Sequence, residues 1–184
     1  MKYIGIALAV LFLLLLIWFV KTFNQFVTIR NRVKDQGAQI DVQLKRRFDL
    51  IPNLVETVKG CASFESETLD AVIKARTSAL QSNSLQESAA ADKELSGALH
   101  RLIAVSEGYP DLKASTNFAK LQQELSETED KIAKSRQFYN DTILKYNNTI
   151  EVFPASLIAG ITGFRRIEFL EVAESEKQPA KVSF

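Results

Sequence analysis

Lys45, Arg46 and Arg47 form the one dense cationic cluster in a 184-residue chain whose formal net charge is only +1. Three adjacent cations could dock an acidic partner. They could equally be consumed inside the molecule, by Asp49 or by a glutamate on a neighbouring helix. Arg47 borders an apolar stripe, so its stem can pack while its head reaches outward. His100 stands beside Arg101 with no cysteine or carboxylate at metal-ligand spacing, which suits a surface or packing role. Cys61 has no histidine close by in sequence, which suits a structural thiol. Asp41, Asp49 and Glu56 lie among the three cations at spacings that pair across helical turns. Glu124, Glu127, Glu129 and Asp130 fall mostly off the apolar stripe of their helix and read as a solvated face, together with Gln122, Gln123 and Lys134. No glycine-rich phosphate loop, nucleophile elbow or HExxH motif occurs. No catalytic, cofactor-binding or metal-ligating residue is therefore assigned, and no cofactor is expected.

The elements that must carry these residues follow from composition. A near-neutral chain lacks the basic footprint of a nucleic-acid binder. One cysteine rules out an internal disulfide framework, and one histidine rules out a histidine-rich metal site. Seven glycines and four prolines are few, so long uninterrupted elements are expected, and the Gln/Lys/Glu-rich middle with spaced Leu, Ile, Val and Phe favours helices.

Residues 3–20, YIGIALAVLFLLLLIWFV, carry no charge. At ~1.5 Å per residue they reach roughly 27 Å, close to the hydrocarbon thickness of a bilayer. The alternative is a cleaved signal peptide, but the apolar run is long for one and Lys21-Thr22-Phe23-Asn24 offers no small-x-small site. Trp18 and Phe19 sit where an aromatic belt belongs. Lys2 precedes the span, whereas Lys21, Arg30, Arg32 and Lys34 follow it. The positive-inside rule then puts a small N-terminus outside and the remainder in the cytoplasm, as a single-pass protein of the inner (cytoplasmic) membrane.

Beyond the span, apolar or small residues recur at 26, 29, 33, 37, 40, 44, 48, 51, 55, 58 and 62, the stripe of one amphipathic helix. The stripe holds its phase across Pro52. Two reversal points compete: Asp49, with Pro52 in the first turn of a new helix, or Gly60, with Ser63 as the next N-cap. Residues 64–80 form a short helix. Ser84-x-x-Glu87 is a capping box opening another, which Gly108 and Pro110 end. Ser115 caps a long helix with its stripe at 118, 121, 125, 128, 132, 135, 139, 142, 146, 149 and 153. Reversal at Gly60 makes the long helices and the short helices match in pairs, and is favoured for that reason. The expected architecture is all-α: an N-terminal transmembrane helix, then an antiparallel up-down four-helix bundle with long helices 1 and 4 and short helices 2 and 3. Phe48, Ile51, Val55, Leu69, Leu99, Leu102, Leu125, Ile132 and Tyr139 are its expected core.

The domain organisation reads as a span with a short N-terminus over 1–20, a bundle over 21–153, an apolar hook over 154–172, and a polar tail over 173–184 expected to be disordered. The hook, FPASLIAGITGFRRIEFLEV from Phe153, has no single period. Helix 4 returns it toward the membrane. Leu157, Ile158, Ile161 and Phe164 could contact the membrane surface with Arg165 and Arg166 on lipid phosphates, or the hook could pack on helix 1.

The segments RNRVKDQGAQIDVQLKRRFDLIPNLVETVKG, LSGALHRLIAVSEGYPDLKA, NFAKLQQELSETEDKIAKSRQFYNDTILKYN and FPASLIAGITGF together resemble the LemA family, over about Phe26 to Phe169. Where that family tends to carry an aromatic and a histidine, this chain has Cys61 and Phe64, which leaves the turn a structural role. The resemblance implies a single-pass membrane protein with a small outer N-terminus and a cytoplasmic antiparallel helical bundle. It implies no reaction and no catalytic residues.

The function expected is therefore that of a membrane-anchored interaction or scaffold protein of the cell envelope, not an enzyme. Its partners would be membrane lipids, other membrane or envelope proteins, or further copies of itself as a homo-oligomer, and not nucleic acid. The alternatives are a ligand-binding or enzymatic bundle with a pocket between helices, and membrane remodelling through the C-terminal hook.

Overall fold

Pro52 has no N–H to give, so the carbonyl of Phe48, four residues earlier, loses its helical partner. In the computed structural model, which describes residues 2–60 and 66–170, that carbonyl accepts instead from Arg76 Nε at 3.0 Å. The proline is thus absorbed within α1, which runs as one helix over Lys2–Lys59. The reversal falls at Gly60 and not at Asp49. Every position of the sequence stripe from 26 to 58 is buried, so the phase across Pro52 is real.

The chain is all-α among the described residues: α2 spans Ser66–Leu80, α3 Leu85–Ser106, α4 Pro110–Lys113, α5 Thr116–Glu151 and α6 Ala155–Thr162. The four-residue α4 was not expected from the sequence. Its Pro110 occupies the first helical turn, where a missing N–H costs nothing. Cys61, Ser63, Phe64, residues 171–172 of the hook and the 173–184 tail lie outside the described residues.

The helix ends follow local chemistry. Ser84 Oγ accepts from Glu87 N at 3.2 Å. Glu87 Oε2 reaches back to Asn83 N at 2.8 Å, one residue before the cap of the standard box. Ser115 Oγ accepts from Phe118 N at 3.4 Å at the start of α5. Gly60 and Gly108 follow their helices without turning left-handed. Among the described residues the left-handed glycine is Gly163, at φ 75°, which ends α6.

Two units divide the chain, and α1 and α5 each contribute to both. In the unit of residues 37–137, Ile40, Leu44, Phe48, Ile51 and Val58 of α1, Val72 of α2, Leu95, Leu99 and Leu102 of α3, and Leu125 and Ile132 of α5 form a buried apolar interior. α2 and α3 pack side by side across the short 81–84 connection. All nine expected core residues are buried; eight of them belong to this unit, and Tyr139 belongs to the other.

The other unit comprises residues up to 36 and 138–169. Phe26, Ile29 and Val33 of α1 are buried here, with Tyr146, Asn147 and Ile150 of α5. The stripe on α5 departs from the expected one: Ile143 and Ile150 are buried where 142 and 149 were expected, and Phe153 is exposed. A strict seven-residue repeat lags a 3.6-residue helix by about 20° per heptad. Between Phe118 and Ile143 the lag reaches about 70°, enough to hand the buried role to the next residue. After α6 the chain runs back as an extended strap. Tyr146 Oη donates to the Arg165 carbonyl at 2.9 Å. Asn147 donates to the Ile167 carbonyl at 2.9 Å and accepts from its N–H at 3.0 Å, so one side chain holds the strap as a strand partner would.

Candidate functional site

The polar constellation inside the 37–137 unit is built on Asp92. On α3 it sits on the same stripe as Leu95, Leu99 and Leu102 and is buried with them. Arg47 Nη1 donates to Asp92 Oδ1 at 3.0 Å, and Arg136 Nη2 donates to Asp92 Oδ2 at 3.0 Å. The carboxylate therefore clasps α1 and α5 to α3, one oxygen to each guanidinium. Side-chain exposure is 1% for Arg47, 3% for Asp92 and 8% for Arg136, so all three are withdrawn from water. Glu129 Oε2 lies 3.5 Å from Arg47 Nη2 and 3.7 Å from His100 Nε2, extending the network to the surface. Arg136 also reaches the Ala89 carbonyl at 3.5 Å.

Burial pushes the Asp92 carboxyl above its ordinary pKa, while the guanidiniums of Arg47 and Arg136 pull it back down. Charge is balanced locally, two guanidiniums against Asp92 and Glu129. Guanidiniums do not exchange protons near neutral pH. Chemically the arrangement is a clasp between helices rather than an acid–base pair. Gln43 Oε1, Arg47 Nε and Arg136 Nε are buried without a hydrogen-bond partner among the described residues.

This corrects the reading of the cationic cluster. Arg47 is not available to an outside partner, because its head turns inward to Asp92 and does not escape along its stem. Lys45 and Arg46 are exposed, and with Val42, which is 62% exposed, they share one outer face of α1. Glu56 pairs with Lys59 at 3.9 Å, not with the cluster. On α5, Glu124 lies 4.0 Å from Lys120 and Glu127 accepts from Gln123 at 3.0 Å, as a solvated face would. The open depression there is lined by Ala119, Gln122, Gln123, Ser126, Glu127 and Asp130, all from α5. Glu129 departs from that face to join the buried network. No group of three or more His, Cys, Asp or Glu side chains suited to a metal occurs among the described residues.

The hook residues divide. Leu157 and Ile161 are exposed on one side of α6, as are Arg165 and Arg166 beyond it. Ile158 is buried on the other side, so it packs within the protein and does not meet a membrane. Phe164 also turns inward: its ring meets Phe23 and Phe26 edge-on at 5.7 and 5.2 Å, and Arg30 lies over it at 5.1 Å. Arg166 reaches Glu151 at 3.5 Å. Burial raises the Tyr146 phenol above its ordinary pKa, with Arg30 opposing.

Asp92, Arg136 and Asn147 are not singled out by the sequence reading. A signal existed for the first two. Asp92 precedes Leu95 by three, and Arg136 lies between Ile132 and Tyr139 at four and three, so each is a charge placed on an apolar stripe. Two opposite charges so placed on different helices are the mark of an internal ion pair.

Among the described residues these features define an all-α protein with one N-terminal helix long and apolar enough to cross a membrane, none of whose apolar window is buried. The chain belongs to the LemA family, whose model matches residues 36–184. It is similar to Magnetosome protein MamQ 2 of Paramagnetospirillum magneticum, 27% identical over 195 residues, covering 90% of this chain and 72% of that protein. It is also similar to Protein LemA of Metamycoplasma hominis, 25% identical over 158 residues, covering 84% of this chain and 71% of that one. The apolar helix and these relatives together support a membrane-associated protein.

Proposed function

We propose that the protein is a non-catalytic, membrane-anchored scaffold that displays a docking face on a stiff helical bundle. In this reading residues 3–20 cross the inner membrane with the N-terminus outside. α1, α2, α3 and α5 form an antiparallel up-down four-helix bundle in the cytoplasm. The observation that carries the proposal is α1 itself, one helix from the apolar window through the buried interior of the 37–137 unit. A helix without a linker transmits position from the bilayer to what it displays. The Asp92 clasp supports the same reading, because it fixes the register of three helices. The docking face is Val42, Lys45 and Arg46, an apolar side chain beside two exposed cations, suited to an acidic patch on another envelope protein.

The test is crosslinking and affinity purification from native membranes with the Lys45→Ala/Arg46→Ala double variant. Both side chains are exposed, so the fold should be unchanged by circular dichroism. Recovery of the partner should fall by roughly tenfold, the worth of two rim charges. Undiminished recovery, or a clean monomer from the unaltered protein, would retire the docking face.

A further inference from the structure

We infer that α6 is a second membrane contact, an interfacial wedge whose outer face enters the headgroup–acyl boundary beside the span. α6 is apolar on both sides. Ile158 and Ala159 are covered by the protein, while Leu157 is 59% and Ile161 81% exposed, one turn apart on the opposite side. Val152 and Phe153, just past the end of α5, are also exposed, at 60% and 75%. A helix with apolar side chains on two faces belongs in an environment that covers both, and here the protein covers one.

The bilayer is the occupant because of where this face lies on the membrane helix. Residues 2–18 of α1 are exposed throughout, and cover begins at Phe19 and Thr22. Within this unit the covering chain is 138–169. Phe164, two residues past the end of α6, packs edge-on against Phe23 and Phe26. Those two rings stand three and six residues beyond Val20, the last of the apolar run, or about 4.5 and 9 Å along the helix. The wedge is therefore held at the level where α1 leaves the hydrocarbon. Lys21 and Arg165 are exposed close to that level and suit the phosphates of anionic lipids. Interfacial helices settle about 5–10 Å into that boundary.

This inference rests on residues 3–20 crossing the membrane, and the experiment separates the two. Single cysteines at Leu157 or Ile161 in a Cys61→Ser chain would carry an environment-sensitive fluorophore, in vesicles of mixed phosphatidylcholine and phosphatidylglycerol. Leu11→Cys reports the middle of the span. Phe138→Cys, exposed and about 20 Å up α5 from Glu151, reports solvent. Nitroxides placed shallow or deep on the lipid chains act as quenchers. The result expected is quenching at 157 and 161 about twofold stronger from shallow than from deep nitroxides, with deep quenching at 11 and none at 138. Quenching at 11 but not at 157 or 161 would overturn the wedge and leave the span intact. A blue-shifted yet unquenched 157 or 161 would also overturn it, placing a protein, such as a second copy of the chain, on this face. No quenching at 11 would overturn the span, and the wedge with it.

Discussion

Asp92→Ala is expected to destabilise the helical fold by about 3–5 kcal/mol, because it strands two buried guanidiniums. Arg47 is 1% exposed and among the described residues would keep only Glu129, part-exposed at 3.5 Å. Among the described residues Arg136 would keep only the Ala89 carbonyl at 3.5 Å. The asymmetry of buried ion pairs supplies a sharper version. Removing one partner is costly, whereas replacing the whole group by apolar side chains of similar volume is often neutral or stabilising by about 1–4 kcal/mol. The triple variant Arg47→Met/Asp92→Leu/Arg136→Met should therefore be far more stable than Asp92→Ala. Urea unfolding of the detergent-solubilised full chain, followed by circular dichroism, measures both. An Asp92→Ala loss below about 1 kcal/mol would mean that water already reaches the guanidiniums. Should the triple variant keep its stability yet lose the partner, the clasp serves register rather than strength.

Arg76→Ala is expected to cost about 1.5–3 kcal/mol, the range for a hydrogen bond from a charged donor. Its guanidinium supplies the proton that Pro52 cannot give to the Phe48 carbonyl. The diagnostic is the coupling. Pro52 is exposed, so Pro52→Ala introduces no clash and restores an N–H to α1. On its own it should stabilise, though by less than the ~3 kcal/mol of an uncompensated internal proline. In the Pro52→Ala background, Arg76→Ala should cost at least about 1 kcal/mol less than in the native one. Strict additivity of the two changes would show that Arg76 stabilises α2 by packing alone.

The stretch around Pro52 shows what a single sequence carries. The unbroken phase of the stripe placed the reversal at Gly60, because a helix that continues must keep its buried face. The partner that makes this tolerable, Arg76, lies 28 residues away from Phe48 on another helix and leaves no local trace. Capping residues were legible for the same reason the stripes were: Ser84 and Ser115 act within a few residues of themselves. Arg47 is not legible as an interior residue because its neighbours Lys45 and Arg46 are exposed, and a run of three like charges hides that one of them faces the interior. Only the pairing with Asp92, 45 residues away and itself 44 from Arg136, distinguishes it. Ile158 is not separable from Leu157 and Ile161 in the sequence, because apolar residues on several sides of an eight-residue helix give the pattern no direction, and Phe164 lies past the helix where no period applies. Asn147 and Tyr146 bind backbone of the strap, and backbone groups carry no sequence signature.

The anchored arrangement is tested most directly by protease protection in vesicles of known sidedness. In right-side-out vesicles from cells producing the full chain, protease added outside should leave the α2–α5 region intact. Lysis of the vesicles should then expose it to cleavage. Degradation of that region in sealed right-side-out vesicles would contradict a cytoplasmic bundle, and release of the intact chain by alkaline carbonate would contradict a membrane-spanning α1.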